Sequence, residues 1–83
     1  DVAIVDLTMP GKDPLEAVRE LGEAELSTRA VVYSGYDDRQ TMEAAYSAGA
    51  WGFVSKHADT QTILDAIRQV AGGELSFPPS FIP

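Results

Sequence analysis

Three side chains of different chemistry stand at the ends of short apolar runs: Asp6 behind Val2-Ala3-Ile4-Val5, Ser34 behind Arg29-Ala30-Val31-Val32-Tyr33, and Lys56 behind Gly52-Phe53-Val54-Ser55. A carboxylate fixed at a strand end can act as a nucleophile toward phosphorus, giving an acyl phosphate. The transferred group carries charge on its equatorial oxygens, so cationic and hydrogen-bonding partners must be aimed at it. Lys56 supplies a point charge and Ser34 a hydroxyl. A divalent cation normally joins such a centre, because carboxylate and phosphoryl are both negative. Taken singly, each residue has a plainer reading: a turn-initiating aspartate, a loop hydroxyl and a solvated lysine. Only the constellation, one residue per run, raises them above that.

The elements that must position these groups follow from periodicity. The apolar runs are continuous rather than alternating, as in strands covered on both faces. Between the first two the period changes: Leu15, Val18 and Leu21 share one face of a helix, with Asp13 as N-cap, Pro14 at the first helical position and Glu16 closing a capping box. The pattern predicts a second helix opening at Asp37, with Gln40 three positions on, carrying Met42, Ala45 and Tyr46 inward and stopping at Gly49. A third begins at Asp59 and sets Ile63, Leu64, Ile67 and Val70 along a stripe before Gly72-Gly73. Strand and helix thus alternate three times. Such alternation predicts an α/β fold of parallel strands joined by right-handed crossovers, with helices on both sheet faces. Ligands of open sheets of this kind gather at the carboxyl ends of the strands, where Asp6, Ser34 and Lys56 all fall. The tail from Leu75 through Pro78-Pro79 cannot continue a helix and reads, over 75–83, as a linker or chain end.

Composition narrows the function classes. With 83 residues, 45% hydrophobic and 23% charged, the chain has the make-up of an ordinary soluble domain. Thirteen acidic against six basic residues give a net charge of -7, which repels phosphate backbones and argues against direct nucleic-acid contact. There is no cysteine, hence no disulfide, thiol nucleophile or cysteine-bound zinc. No apolar run approaches the roughly 20 residues needed to span a bilayer, and no signal-peptide pattern opens the chain. The expectation is a cytoplasmic protein without a membrane partner. His57, the single histidine, has no placed carboxylate partner and receives no role. Trp51 reads as packing, and Tyr33, Tyr36 and Tyr46 are explained equally well by packing or by an exposed surface.

These motifs resemble the second half of a response-regulator receiver domain of two-component signalling. The resemblance rests on Asp6-Leu7-Thr8-Met9-Pro10-Gly11-Lys12-Asp13, on Ser34 in "VVYSGYDD", and on Phe53 and Lys56 in "GAWGFVSK". The Lys-His-Ala wording and the closing Gly-Gly-Glu are similar to receivers that precede a helix-turn-helix output domain. The resemblance implies a partial flavodoxin-like, doubly wound parallel sheet over residues 1–74, running from the family's third strand to its last helix, with its first two strands and helices absent. It implies that Asp6 is a phosphoacceptor taking its phosphoryl group from a histidine kinase, with Ser34 and Lys56 holding the phosphoryl oxygens. Asp6 and the backbone carbonyl of Thr8 would coordinate Mg2+, the family's remaining acidic ligands being absent from this chain. Repositioning of Ser34 would let Phe53 turn inward and alter the surface made by the second and third helices and the strand between them. The protein is then a switch in transcription regulation and not an enzyme, its parent carrying a DNA-binding output domain.

The chain departs from the family pattern in two ways. Pro14 stands where glycine is usual, a structural variation that suits a first helical turn. The family's acidic metal-binding pair belongs to its first strand, and Asp1 cannot replace it, because five residues of strand place it ~17 Å from Asp6. Asp37 and Asp38 lie on the correct edge, but helix capping accounts for at least one of them. Phosphorylation is therefore expected to be impaired. The first strand would also present a free apolar edge, which predicts self-association. Two other functions stay open: an association module that is not phosphorylated, and a phosphohydrolase using Asp6, against which Thr8 occupies the place of the needed general acid.

Overall fold

The computed structural model describes residues 2–6, 16, 18–20, 28–79 and 81. Its strands are β1 (Val2–Asp6), β2 (Arg29–Ser34) and β3 (Gly52–Ser55), ordered β1-β2-β3 and parallel throughout. Helical residues 16 and 18–20 form α1; α2 spans Arg39–Ala48 and α3 Thr60–Ala71. The expected capping residues Asp13 and Pro14, together with Thr8 and the Met9-Pro10-Gly11 turn, lie outside the described residues.

The continuous apolar runs are explained by two separate cores. Ala30, Val32 and Phe53 pack with Val18 of α1 and with Met42, Ala45 and Ala48 of α2 on one face, whereas Val31 and Val54 pack with Ala66 and Val70 of α3 on the other. Because strand side chains alternate between faces, Ala30-Val31-Val32 serves both cores and leaves no position for a polar residue. The sheet is therefore doubly wound, as the alternation predicted.

Helix starts are set by aspartates with a threonine three residues on. Asp38, not Asp37, caps α2: its carboxylate accepts from Thr41 N–H at 3.4 Å and from Thr41 Oγ1 at 2.6 Å. Asp59 does the same for α3 through Thr62, at 2.9 and 2.7 Å. Gly49 ends α2 in the left-handed region at φ 104°, where a side chain would clash with its own backbone. Two expected core positions are exposed instead. Tyr46 is 50% exposed and Leu64 41% exposed, because the narrow stripes are completed by Ala45 and Ala66, one and two residues away.

Both caps carry a pH signature. The Asp38 and Asp59 carboxyls titrate below the usual 3.8, chiefly because the threonine hydroxyl donates to the charged form. A folded-state pKa below the unfolded one contributes stability that is complete above the unfolded value and is lost as pH falls through the folded one. Acidification below pH 3.8 is therefore expected to weaken both helix starts. Far-UV circular dichroism melts across that window check this: an Asp38→Asn/Asp59→Asn variant should lose less stability over it than the parent.

Beyond α3 the chain turns back along the outer side of β3. Ser76 bridges Gly52 in parallel, its N–H donating to Trp51 O and its carbonyl accepting from Phe53 N–H, both at 2.9 Å. A Cβ on Gly52 would stand 3.1 Å from Ser76 O and 3.1 Å from Val70 Cγ2. Gly52→Ala is thus expected to overpack this crossing and cost about 1–3 kcal/mol, seen as a drop in Tm of roughly several degrees. An unchanged Tm would show that the tail yields freely.

At the opposite end of the sheet from the strand tips, the Arg29 guanidinium donates to Val70 O at 3.4 Å and Ala71 O at 3.5 Å and lies 4.9 Å over the Trp51 ring. A cation on the last carbonyls of α3 suits the negative end of the helix dipole. Trp51, expected only to pack, is half-buried against the α3-side core.

Candidate functional site

The register of the parallel sheet brings the candidate residues to one edge. Asp6 pairs with Tyr33, the residue before Ser34, and Ser34 pairs with Ser55, the residue before Lys56. The ladder runs one step further through Lys56 N–H, which donates to Ser34 O at 2.8 Å. These are the carboxyl ends of the three strands, where side chains project past the covering helices.

Lys56 Nζ lies 2.9 Å from Asp6 Oδ1, with 29% and 33% of the two side chains exposed. The pair is accessible to a ligand and is screened by water, so its net contribution to stability is small. The same ammonium lies 5.5 Å above the Tyr33 ring, a cation–π contact that restrains the flexible lysine stem. Tyr33 thus forms the floor between the acid and the amine, a role that periodicity alone assigns to no residue.

Ser34 is fully buried, and its Oγ accepts from Tyr36 N–H at 3.0 Å, closing a tight turn at the start of the loop to α2. Its carbonyl, rather than its hydroxyl, is what touches Lys56. The loops on either side are also tied: Ser55 Oγ donates to Asp37 Oδ2 at 3.3 Å and accepts from His57 N–H at 3.0 Å. Asp37 is thereby held at the rim of the site instead of capping α2. The sequence pattern did not single out Ser55, although its place between two strand-end loops is the signal that would have found it.

Phe53 is 2% exposed, already inside the core on the α1–α2 face and covered by Phe77 at 6.5 Å between ring centroids. The expected inward turn therefore has little room without a rearrangement of its cover. Tyr36 is 70% exposed, and His57 is exposed near the rim.

Magnesium is a general requirement of the family the motifs resemble, and such an ion needs several oxygen donors around it. Asp6 offers one carboxylate, already facing an ammonium, and the described residues contain no group of three or more histidine, aspartate or glutamate side chains able to hold a metal ion. Thr8, the other expected ligand, lies outside them. The described donors alone do not fit the ion, and no step below passes through it.

Comparison with known proteins agrees with this geometry. A family model described as the response regulator receiver domain matches residues 1–68. The nitrate/nitrite response regulator protein NarL of Escherichia coli K12 is 34% identical over 83 residues, covering 100% of this chain and 38% of its own. The probable transcriptional regulatory protein SgaR of Hyphomicrobium methylovorum is 31% identical over 78 residues, 94% of this chain and 37% of its own. The chain thus spans less than two fifths of these relatives. The crystal structure of a LuxR-family two-component response regulator from Aurantimonas sp. SI85-9A1 superposes with a TM-score of 0.87 at 27% identity, over 98% of this chain and 58% of that one. No helix among the described residues is long and apolar enough to cross a membrane. With the flavodoxin-like sheet, the strand-end acid, hydroxyl and amine, and a family match over most of its length, the chain belongs to the response-regulator receiver domains of two-component systems.

Proposed function

We propose that Asp6 accepts a phosphoryl group from the phosphohistidine of a histidine kinase and that the modified site shifts a surface read by an output domain of the parent protein. The observation that carries this reading is the Asp6 carboxylate at a strand end with the Lys56 ammonium 2.9 Å away. A carboxylate oxygen attacks phosphorus, the P–N bond to the imidazole breaks, and the imidazole leaves with a proton from solvent. Lys56 stays beside the product and offsets its added charge, while Ser34 rotates its hydroxyl from Tyr36 N–H toward a phosphoryl oxygen. Residues 1–74 act as the receiver portion and 75–83 lead toward a DNA-binding partner domain. The acidic surface makes the receiver itself a poor nucleic-acid ligand.

Intact-mass spectrometry after incubation with acetyl phosphate, with and without Mg2+, tests the reading. The expected result is one added phosphoryl group, removed by neutral hydroxylamine as an acyl phosphate should be. No uptake even at high phosphodonor would overturn it and favour an association module. That second reading draws support from the sheet edge: β1 has no partner on its outer side among the described residues, and Ile4, 49% exposed, leaves the α3 face of this strand partly uncovered beside Val31 and Tyr33. A second copy of the chain is the proposed occupant, since an unpaired apolar edge recruits another strand. Sedimentation velocity should show a concentration-dependent dimer that Ile4→Lys converts to monomer; a concentration-independent monomer for the parent sequence would rule it out.

A further inference from the structure

Alternation along the three strands puts the acid, an aromatic ring and the amine on one face of the sheet. Val2 and Ile4 turn toward α3, so Asp6, the next alternate residue of β1, does the same. Val31 and Tyr33 of β2 share that face, as do Val54 of β3 and, two residues on, Lys56. Phe53 and, by alternation with Val32, Ser34 lie on the opposite one.

Asp6 and Lys56 belong to β1 and β3, with β2 between them. Neighbouring strands lie roughly 4.8 Å apart, so the lysine stem must cross β2 to bring Nζ within 2.9 Å of Asp6 Oδ1. Two residues define the crossing. Tyr33, in register with both Asp6 and Val54, lies on one side, with the ammonium 5.5 Å from its ring centroid. Gly35 lies on the other: a Cβ there would stand 3.9 Å from Lys56 Cδ, so the stem runs alongside its backbone.

The ring is fixed independently of the lysine. Tyr33 packs against the core of Val31, Val54, Ala66 and Val70, and Ile63 and Ile67 of α3 line the small apolar hollow beside it. The lysine, by contrast, has a long flexible stem and is 29% exposed, so water offers its ammonium many other positions. An aromatic face carries negative potential and draws the ammonium without taking up one of its N–H groups, as a carboxylate or carbonyl would.

We propose that Tyr33 is a positioning residue: its ring holds the Lys56 ammonium across β2 beside Asp6, and so sets the rate at which Asp6 takes up a phosphoryl group. The effect on the rate rests on the phosphoacceptor reading, whereas the hold of the ring on the lysine does not. An aliphatic side chain at this position would also pack against the α3-side core, so the aromatic face is the feature that packing alone does not require.

The rate of phosphoryl uptake from acetyl phosphate, followed by intact mass, tests the first part. Tyr33→Leu should slow uptake roughly two- to fivefold, the factor carried by one partly exposed cation–π contact, and Tyr33→Phe should restore most of the loss. In a Lys56→Gln background Tyr33→Leu should bring no further slowing, because the ring then has no ammonium to hold. Unchanged uptake in Tyr33→Leu, equal slowing in both backgrounds, or a Tyr33→Phe chain as slow as Tyr33→Leu would each overturn the proposal. NMR reads the hold separately. Lys12 and Lys56 are the lysines of the chain, so the Hε signals of Lys56 are identified by their loss in Lys56→Gln. In the parent they should lie upfield through the ring current, stay there in Tyr33→Phe and move downfield in Tyr33→Leu; an unshifted parent signal would overturn the hold. Absence of uptake by the parent would overturn the phosphoacceptor reading and the effect on the rate, while an upfield Lys56 signal would still support the hold.

Discussion

Asp6→Asn should take up no phosphoryl group from acetyl phosphate, yet melt within about 1 kcal/mol of the parent chain. An amide of the same shape cannot form an acyl phosphate, so the chemical loss is complete. The structural loss is small for a reason visible in the geometry. Asp6 ends β1 and holds its place through the ladder to Tyr33, not through its charge, and its ion pair with Lys56 is about a third exposed. Lys56→Gln should also fold normally but slow uptake by roughly 10²–10³-fold, the usual loss when one donor facing a developing anion is removed. Mass spectrometry with thermal melts of both variants checks the pair of expectations. Continued uptake by Asp6→Asn would place the acceptor elsewhere.

Phe53→Ala carries the largest expected cost in stability, about 3–5 kcal/mol by analogy with other buried phenylalanines. The ring is 2% exposed, packs in the α1–α2 core and stacks on Phe77, so its removal leaves a void on one side and an unsupported tail on the other. Domains of this size hold only about 5–15 kcal/mol in total, so the variant should be substantially unfolded in mild denaturant. Urea titration by circular dichroism gives the value. A loss below about 1 kcal/mol would mean that the core closes over the missing ring.

These expectations show which parts of the structure local sequence carries. The end of β2 was legible because burial on both faces of Ala30-Val31-Val32 disfavours polar residues along the run, so Ser34 marks its carboxyl end. The start of α3 at Asp59 was legible too. The start of α2 was misplaced by one residue because Asp37 and Asp38 are chemically alike; Thr41 decides between them, as Thr62 does for Asp59. Tyr46 and Leu64 fit the helical stripe by spacing, but alanines filled the narrow contact and left the larger residues outside. The tail was the least legible. Two prolines argue against regular structure, yet a strand position that needs only the amide and carbonyl of Ser76 tolerates prolines after it. Its partners Trp51 and Phe53 lie more than twenty residues away, beyond the reach of any local pattern. Within the site, Asp6 and Lys56 were expected to face a common phosphoryl group; their direct contact and the Tyr33 floor depend on inter-strand register, which no single segment encodes.

Among the described residues the two margins of the sheet are unequal. Along β3 the outer row is engaged at Gly52 by Ser76, followed by Pro78 and Pro79, which have no N–H to offer a newcomer. Along β1 the row is open among the described residues. The pairing proposed above through β1 would use the same margin from both copies, which would make the contact isologous and related by a twofold axis. Such a pair would be closed, so the proposed association stops at a dimer, and a concentration-dependent ladder of larger species in sedimentation would contradict it.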